Sequence, residues 1–88
     1  MPSGRPPVDA KEIGKRLRES RGKRSREDVV RALQEKQGFA LTAQHLYVIE
    51  KGAIDNPGAK MLDALAREYG ETVEYLLYGV RPARKKGA

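Results

Sequence analysis

The sequence predicts an all-α fold, a compact bundle of five short helices, on three observations. Apolar residues recur at helical spacing, as in Ile13 and Leu17, Val29 and Leu33, Leu46 and Ile49, and Leu62, Leu65, Ala66 and Tyr69. No useful length of chain alternates apolar and polar residues with period two, so no sheet is expected. Cap-type residues open these runs and glycines close them.

Each element follows from local chemistry. Residues 1–8, with three prolines and one glycine, read as a flexible tail ahead of a domain spanning 9–79. Asp9 caps the first helix, Glu12 completes a capping-box pattern, and Gly22 after Arg21 is its stop. Ser25 opens the second helix with Asp28 at the box position. Its buried face is expected to be Val29, Val30 and Leu33, and the polar Gln34-Glu35-Lys36-Gln37 carries it on to Gly38. Phe39, Ala40 and Leu41 form a short apolar connection.

Thr42 caps the third helix, which runs to Lys51 and stops at Gly52. On a helical wheel Leu46 and Ile49 point one way, while Gln44, Tyr47, Val48 and Lys51 point the other. Asn56-Pro57 reads as an N-cap followed by proline at the first helical position of the fourth helix. Met61, Leu62, Leu65, Ala66 and Tyr69 give that helix its stripe, and Gly70 ends it. Thr72 caps a fifth helix with Val73, Leu76 and Leu77 inward, ending at Gly79, and residues 80–88 are a basic tail.

Composition bounds what such a domain can do. Eighty-eight residues allow one small domain. Ile, Leu, Val and Phe make up 18 of the 88, close to the boundary of disorder, so placement on helical stripes is what argues for folding. There are no cysteines, which excludes disulfides and thiolate metal sites. No apolar run suits a membrane span and the start lacks a signal peptide's apolar stretch, so the expected location is the cytoplasm of a prokaryote. His45 is the one histidine, with no nucleophile motif, metal-ligand cluster or phosphate loop nearby, so neither catalysis nor a cofactor is expected.

The net charge is +6, unevenly distributed. Residues 1–60 carry +5, residues 61–79 carry −3, and residues 80–88 carry +4. A basic body beside an acidic segment points to a polyanion face and a separate second face.

In order along residues 10–79, the chain resembles the helix-turn-helix proteins of the Cro and lambda-repressor-like family, also called the Xre family. The matching pieces are Ile13-Gly14-Lys15-Arg16-Leu17-Arg18, Ser25-Arg26-Glu27-Asp28-Val29 and Leu46-x-x-Ile49-Glu50-Lys51-Gly52. Asn56-Pro57, Leu62-x-x-Leu65-Ala66 and Leu76-Leu77-Tyr78-Gly79 follow at the family's spacing. The chain departs from the pattern between the second and third helices. Leu33 to Thr42 is nine residues, roughly six more than usual, so the second helix is expected to be a turn longer with an extended connection. Val30 stands where a small residue is usual, and the link between the first two helices is about two residues short.

The resemblance implies a DNA-binding domain whose third helix enters the major groove. It implies base-facing positions at Ala43, Gln44 and Val48. Gln44 can pair with adenine through its amide and Val48 can pack on a thymine methyl. Arg26 matches a phosphate-contact position, and Arg24, Thr42, Tyr47, Lys51 and Asn56 are expected at the DNA backbone, with Lys23 and Lys60 as further candidates. Arg21 and Glu50 match a pair joining the first helix to the third, which makes Glu50 structural. Simpler readings stay open: Gln44 as an exposed helix residue, His45 as partly packed or solvated, Tyr47 packed under Phe39, and the basic residues as a solvated face.

The expected function is a sequence-specific transcriptional regulator of double-stranded DNA, a repressor acting as a homodimer. The acidic fourth and fifth helices, with Tyr75, Tyr78 and Val80 exposed, would be its self-association surface. The alternatives are an antitoxin or protein-bridging module, in which those helices hold a protein partner, and a nucleoid-type architectural protein.

Overall fold

A computed structural model of the chain describes residues 9–55 and 57–80. The tail expected over 1–8, all but Val80 of the tail expected over 80–88, and Asn56 lie outside the described residues. Among those described there are five helices and no strand: α1 (Ala10–Arg21), α2 (Arg26–Gln37), α3 (Ala43–Glu50), α4 (Ala59–Tyr69) and α5 (Val73–Tyr78).

Local capping places most boundaries where the sequence expects them. The Ser25, Thr42 and Thr72 hydroxyls each accept the backbone N–H three residues on, at 3.0 Å. Asp9 instead accepts from Lys11 at 3.0 Å, and Glu12 turns to Arg16, 3.7 Å away. One boundary differs. Helix α4 begins at Ala59 with Gly58 as its N-cap and no side-chain cap bond, so Pro57 precedes the first turn instead of forming it. Pro57 is buried.

Helix α1 packs against α3, α4 and α5, α2 packs against α3 and α4, and α4 packs against α5. The core between them is Ile13, Leu17, Val29, Leu33, Leu46, Ile49, Met61, Leu62, Ala64, Leu65, Ala66 and Leu76. A fully buried Leu or Ile contributes about 1.5–3 kcal/mol, so a core this small leaves little margin for a cavity. Val30 is half-buried rather than in the core. Val29 and Leu33 are one turn apart on the inner face, and Val30 is rotated about 100° away from Val29.

Helix α2 continues one turn past Leu33, as the long Leu33–Thr42 spacing predicts. Gly38, in the left-handed conformation, then reverses the chain, and the Phe39 amide donates to the Leu33 carbonyl at 3.2 Å. Phe39 and Leu41 pack against the core while Ala40 points outward. The added residues thus became an extra helical turn and an anchored extended strap.

Two close approaches lock α1 onto α3. A Cβ on Gly14 would lie 2.5 Å from the Glu50 carbonyl oxygen and 2.7 Å from that of Ile49. A Cβ on Gly52 would lie 2.8 Å from the Lys11 Cα, and Gly52 also holds φ at +79°. Both glycines are required by backbone proximity. Elsewhere Arg16 on α1 donates to the Leu76 and Leu77 carbonyls at 3.1 and 3.2 Å, tying down the C-terminal end of α5.

Candidate nucleic-acid interface

The face of α3 turned away from the core carries Gln44 and Tyr47, both exposed, and Val48, half-buried. Ala43 is half-buried in the first turn and Lys51 is exposed at the C-cap. Gln44, Tyr47, Val48 and Lys51 therefore lie on the side that the helical wheel gives them. Thr42 is exposed and its oxygen accepts the His45 amide, which leaves the hydroxyl proton for an outside acceptor. His45 is exposed beside Val30 and Leu41, in a groove of about 480 Å³ that the strap forms with α2.

Behind this face lies a charged anchor. Arg21 holds Glu50 through two bonds, Nε to Oε2 at 2.8 Å and Nη2 to Oε1 at 2.9 Å. Arg26 adds a third, Nε to Oε1 at 3.0 Å. The Glu50 side chain is only 2% exposed and Arg21 only 12%. The bond to Glu50 raises the Arg21 guanidinium further above its ordinary value, against the opposing effect of burial. Arg21 also donates to the Arg24 carbonyl at 2.7 Å, which secures the short link between α1 and α2. One carboxylate at the end of α3 thus joins α1, α2 and α3.

Tyr47 projects beside this anchor and is 40% exposed. The Arg26 guanidinium lies 5.0 Å from its ring centroid and the Lys51 ammonium 5.1 Å. These are cation–π contacts, which position two cations around one aromatic ring. Together with Arg18 and Glu50 they line a cleft of about 310 Å³. Glu50 is neutralised from within by Arg21, so the balance at the cleft mouth is positive.

The remaining backbone candidates are placed differently. Arg24 binds Glu68 on α4 at 2.8 Å and does not join the Arg26–Tyr47–Lys51 group. Helical spacing could not reveal this bond, which spans 44 residues. Asn56 lies outside the described residues. Sequence reasoning missed Arg18 as a lining residue and Arg26 as a partner of both Glu50 and Tyr47. The signal for Arg18 was available, since it sits one position past Leu17 on the outer side of α1.

The second face also differs from expectation. Tyr75 packs against the core, and Tyr78 is half-buried. Of the large apolar side chains described there, Val80 is the exposed one, at 53%. Glu68 is withdrawn beneath Arg24 and Lys36, and Asp63 pairs with Arg67, so the acidic character of α4 is largely satisfied within the chain. Among the described residues, no group of three or more His, Cys, Asp or Glu is placed to hold a metal, and no helix is long and apolar enough to cross a membrane.

Comparison of the chain with protein-family models, curated proteins and solved structures finds no match.

Proposed function

We propose that the protein is a sequence-specific regulator that binds double-stranded DNA, with α2 and α3 acting as the helix-turn-helix of a lambda-repressor-like domain. Helix α3 enters the major groove, Gln44 and Val48 meet base edges, and Arg26, Tyr47 and Lys51 meet the backbone. The observation that supports this most is the make-up of the α3 face. An uncharged amide and a small apolar side chain are flanked by cations, on a helix anchored at its far end by Glu50. A polar reading edge between phosphate contacts is what groove recognition needs.

One such helix reads only a few base pairs, so the protein acts as a homodimer on a two-fold site, as a repressor associated with the nucleoid. The α4–α5 side, with Val80, supplies the self-association surface. An architectural role with little sequence preference is the second reading, favoured by the exposed cations Lys11, Lys15 and Arg18 on α1.

Selection from random duplex DNA at two salt concentrations separates the two. A regulator yields a palindromic consensus preferred by about 10³-fold or more, and an architectural protein yields less than about tenfold preference with steep salt dependence. Gln44→Ala should relax the preference at a single base position by about 1–3 kcal/mol and leave the rest of the consensus intact. A consensus unchanged by Gln44→Ala, Val48→Ala and both together would remove α3 as the reading helix.

A further inference from the structure

Seven of the thirteen basic side chains in the described residues are already engaged. Arg16, Arg21, Arg24, Arg26, Arg31, Lys36 and Arg67 each have a carboxylate at ion-pair distance. Lys23, Lys51 and Lys60 have none at that distance among the described residues, and neither do Lys11, Lys15 and Arg18, all three exposed. The last three stand at i, i+4 and i+7 on α1, so they form a single row about 10 Å long on the side away from Ile13 and Leu17.

The row is continuous with the α3 face. Arg18 lines the 310 Å³ cleft with Arg26, Tyr47 and Lys51. It also lines a second cleft of about 590 Å³ with Lys11 and Lys15, floored by the Arg21–Glu50 pair and rimmed by Glu19. Gly52, the residue after Lys51, abuts the Lys11 backbone. A line of cations therefore runs from the end of α3 back along α1.

Like charges in a row repel, and a polyanion relieves that repulsion. The row itself carries no apolar anchor: of the large apolar side chains exposed among the described residues, Val80 lies elsewhere, and Tyr47, which borders Arg18 in the smaller cleft, already has Arg26 and Lys51 against its ring. A specific protein partner would need a buried aromatic or aliphatic anchor, whereas a phosphodiester backbone needs only regularly placed cations.

We propose that Lys11, Lys15 and Arg18 form a second phosphate track on α1. It takes the sugar–phosphate backbone of duplex DNA beyond the base pairs that α3 faces. This rests on the DNA-binding reading above and adds a surface to it. The track supplies affinity and salt dependence and carries no base specificity, so it lengthens the footprint without lengthening the consensus.

The test compares Lys11→Gln/Lys15→Gln with a charge-matched control, Lys36→Gln/Arg67→Gln, on a long random-sequence duplex across a salt series. Circular dichroism and the thermal midpoint establish that both variants fold, and Lys15→Gln alone substitutes if the double variant does not. Removing one cation from the phosphate backbone should lower the slope of log K against log salt by about 0.9, so the α1 variant should fall by roughly 2 and the control by well under 1. On a duplex trimmed to about one helical turn the α1 variant and the parent should converge. Equal slopes for the parent and the α1 variant on the long duplex overturn the track and leave the DNA reading standing. A parent that binds no duplex at any salt overturns both. Unchanged DNA slopes with abolished binding to poly-glutamate in the α1 variant overturn the track in favour of an acidic polypeptide.

Discussion

Glu50 and Glu68 are almost equally withdrawn from solvent, with side chains 2% and 3% exposed, yet they are held in different ways. Glu50 uses both oxygens, and its main partner Arg21 is itself only 12% exposed. Glu68 offers one oxygen to Arg24 at 2.8 Å and Lys36 at 3.6 Å, and these cations are 39% and 67% exposed. The first is a buried ion pair with fixed geometry. The second is a buried acid under a solvated lid of cations. Geometry and partner exposure decide what such a pair contributes, more than burial of the acid alone. The rigid arrangement stands behind the α3 face, and the looser one ties Arg24 and α2 to α4, next to the first through the Arg21–Arg24 backbone bond.

Substitution at Glu50 should have the largest effect. Glu50→Ala leaves Arg21 buried without its partner and unties α1, α2 and α3 together. It should lower stability by about 3–5 kcal/mol, a fall in thermal midpoint of more than ~10 °C for a domain this size. A midpoint equal to the parent's would erase the distinction between the two glutamates.

Gly14→Ala comes next and probes the same region through packing. The helix interior would gain about 1 kcal/mol from alanine's propensity. The new Cβ would meet the Ile49 and Glu50 carbonyls, which are backbone atoms and cannot swing aside. Overpacking costs about 1–3 kcal/mol, and a clash with backbone atoms lies at the upper end, so chemical denaturation should show a net loss of up to about 2 kcal/mol. A stabilised variant would mean that α1 and α3 separate easily.

Glu68→Ala should cost less, about 1 kcal/mol, because Arg24 and Lys36 can turn to water when it is gone. A loss as large as that of Glu50→Ala would make the two sites equivalent.

The smallest effect is expected at Tyr69, which feels the charges of both clusters. Its hydroxyl is buried without a hydrogen-bond partner among the described residues. Burial is the main reason its ionisation is pushed well above the ordinary tyrosine range, with Glu50 adding to the shift. The raised value belongs to the folded state, so the unfolded chain ionises first. The stability tied to the neutral phenol is complete below about pH 10 and falls as pH rises beyond it. Tyr69→Phe should be neutral or stabilising by less than about 1 kcal/mol near pH 7. It should also flatten the alkaline decline that denaturant unfolding measures as pH rises above about 10. A destabilised Tyr69→Phe would show that the hydroxyl has a partner.

Much of the α3 face was legible in the sequence. Gln44, Tyr47, Val48 and Lys51 share a side because helical geometry repeats every 3.6 residues, and the helix itself is marked by Thr42 and Gly52. Arg21 and Glu50 could be paired only through a family resemblance, since 29 residues separate them. Arg26 over Tyr47 and Arg24 on Glu68 had no local signal at all. The start of α4 was not legible either. Asn56-Pro57 is a strong local cap signal, but Pro57 is buried ahead of the helix and the first turn starts at Ala59, after Gly58.

Chemistry between near neighbours in the chain is enough to set the five helices, nearly all their caps, the longer α2 and the exposed side of α3. Those features rest on hydrogen bonds and stripes within a few residues of chain. Tertiary structure alone decided which charges are spent inside the bundle and which remain for a partner. An ion pair depends on which helices come together, and that follows from burial of the core. The +6 net charge was plain from the start. Only the folded arrangement separates the arginines consumed by Glu50 and Glu68 from the open row of Lys11, Lys15 and Arg18.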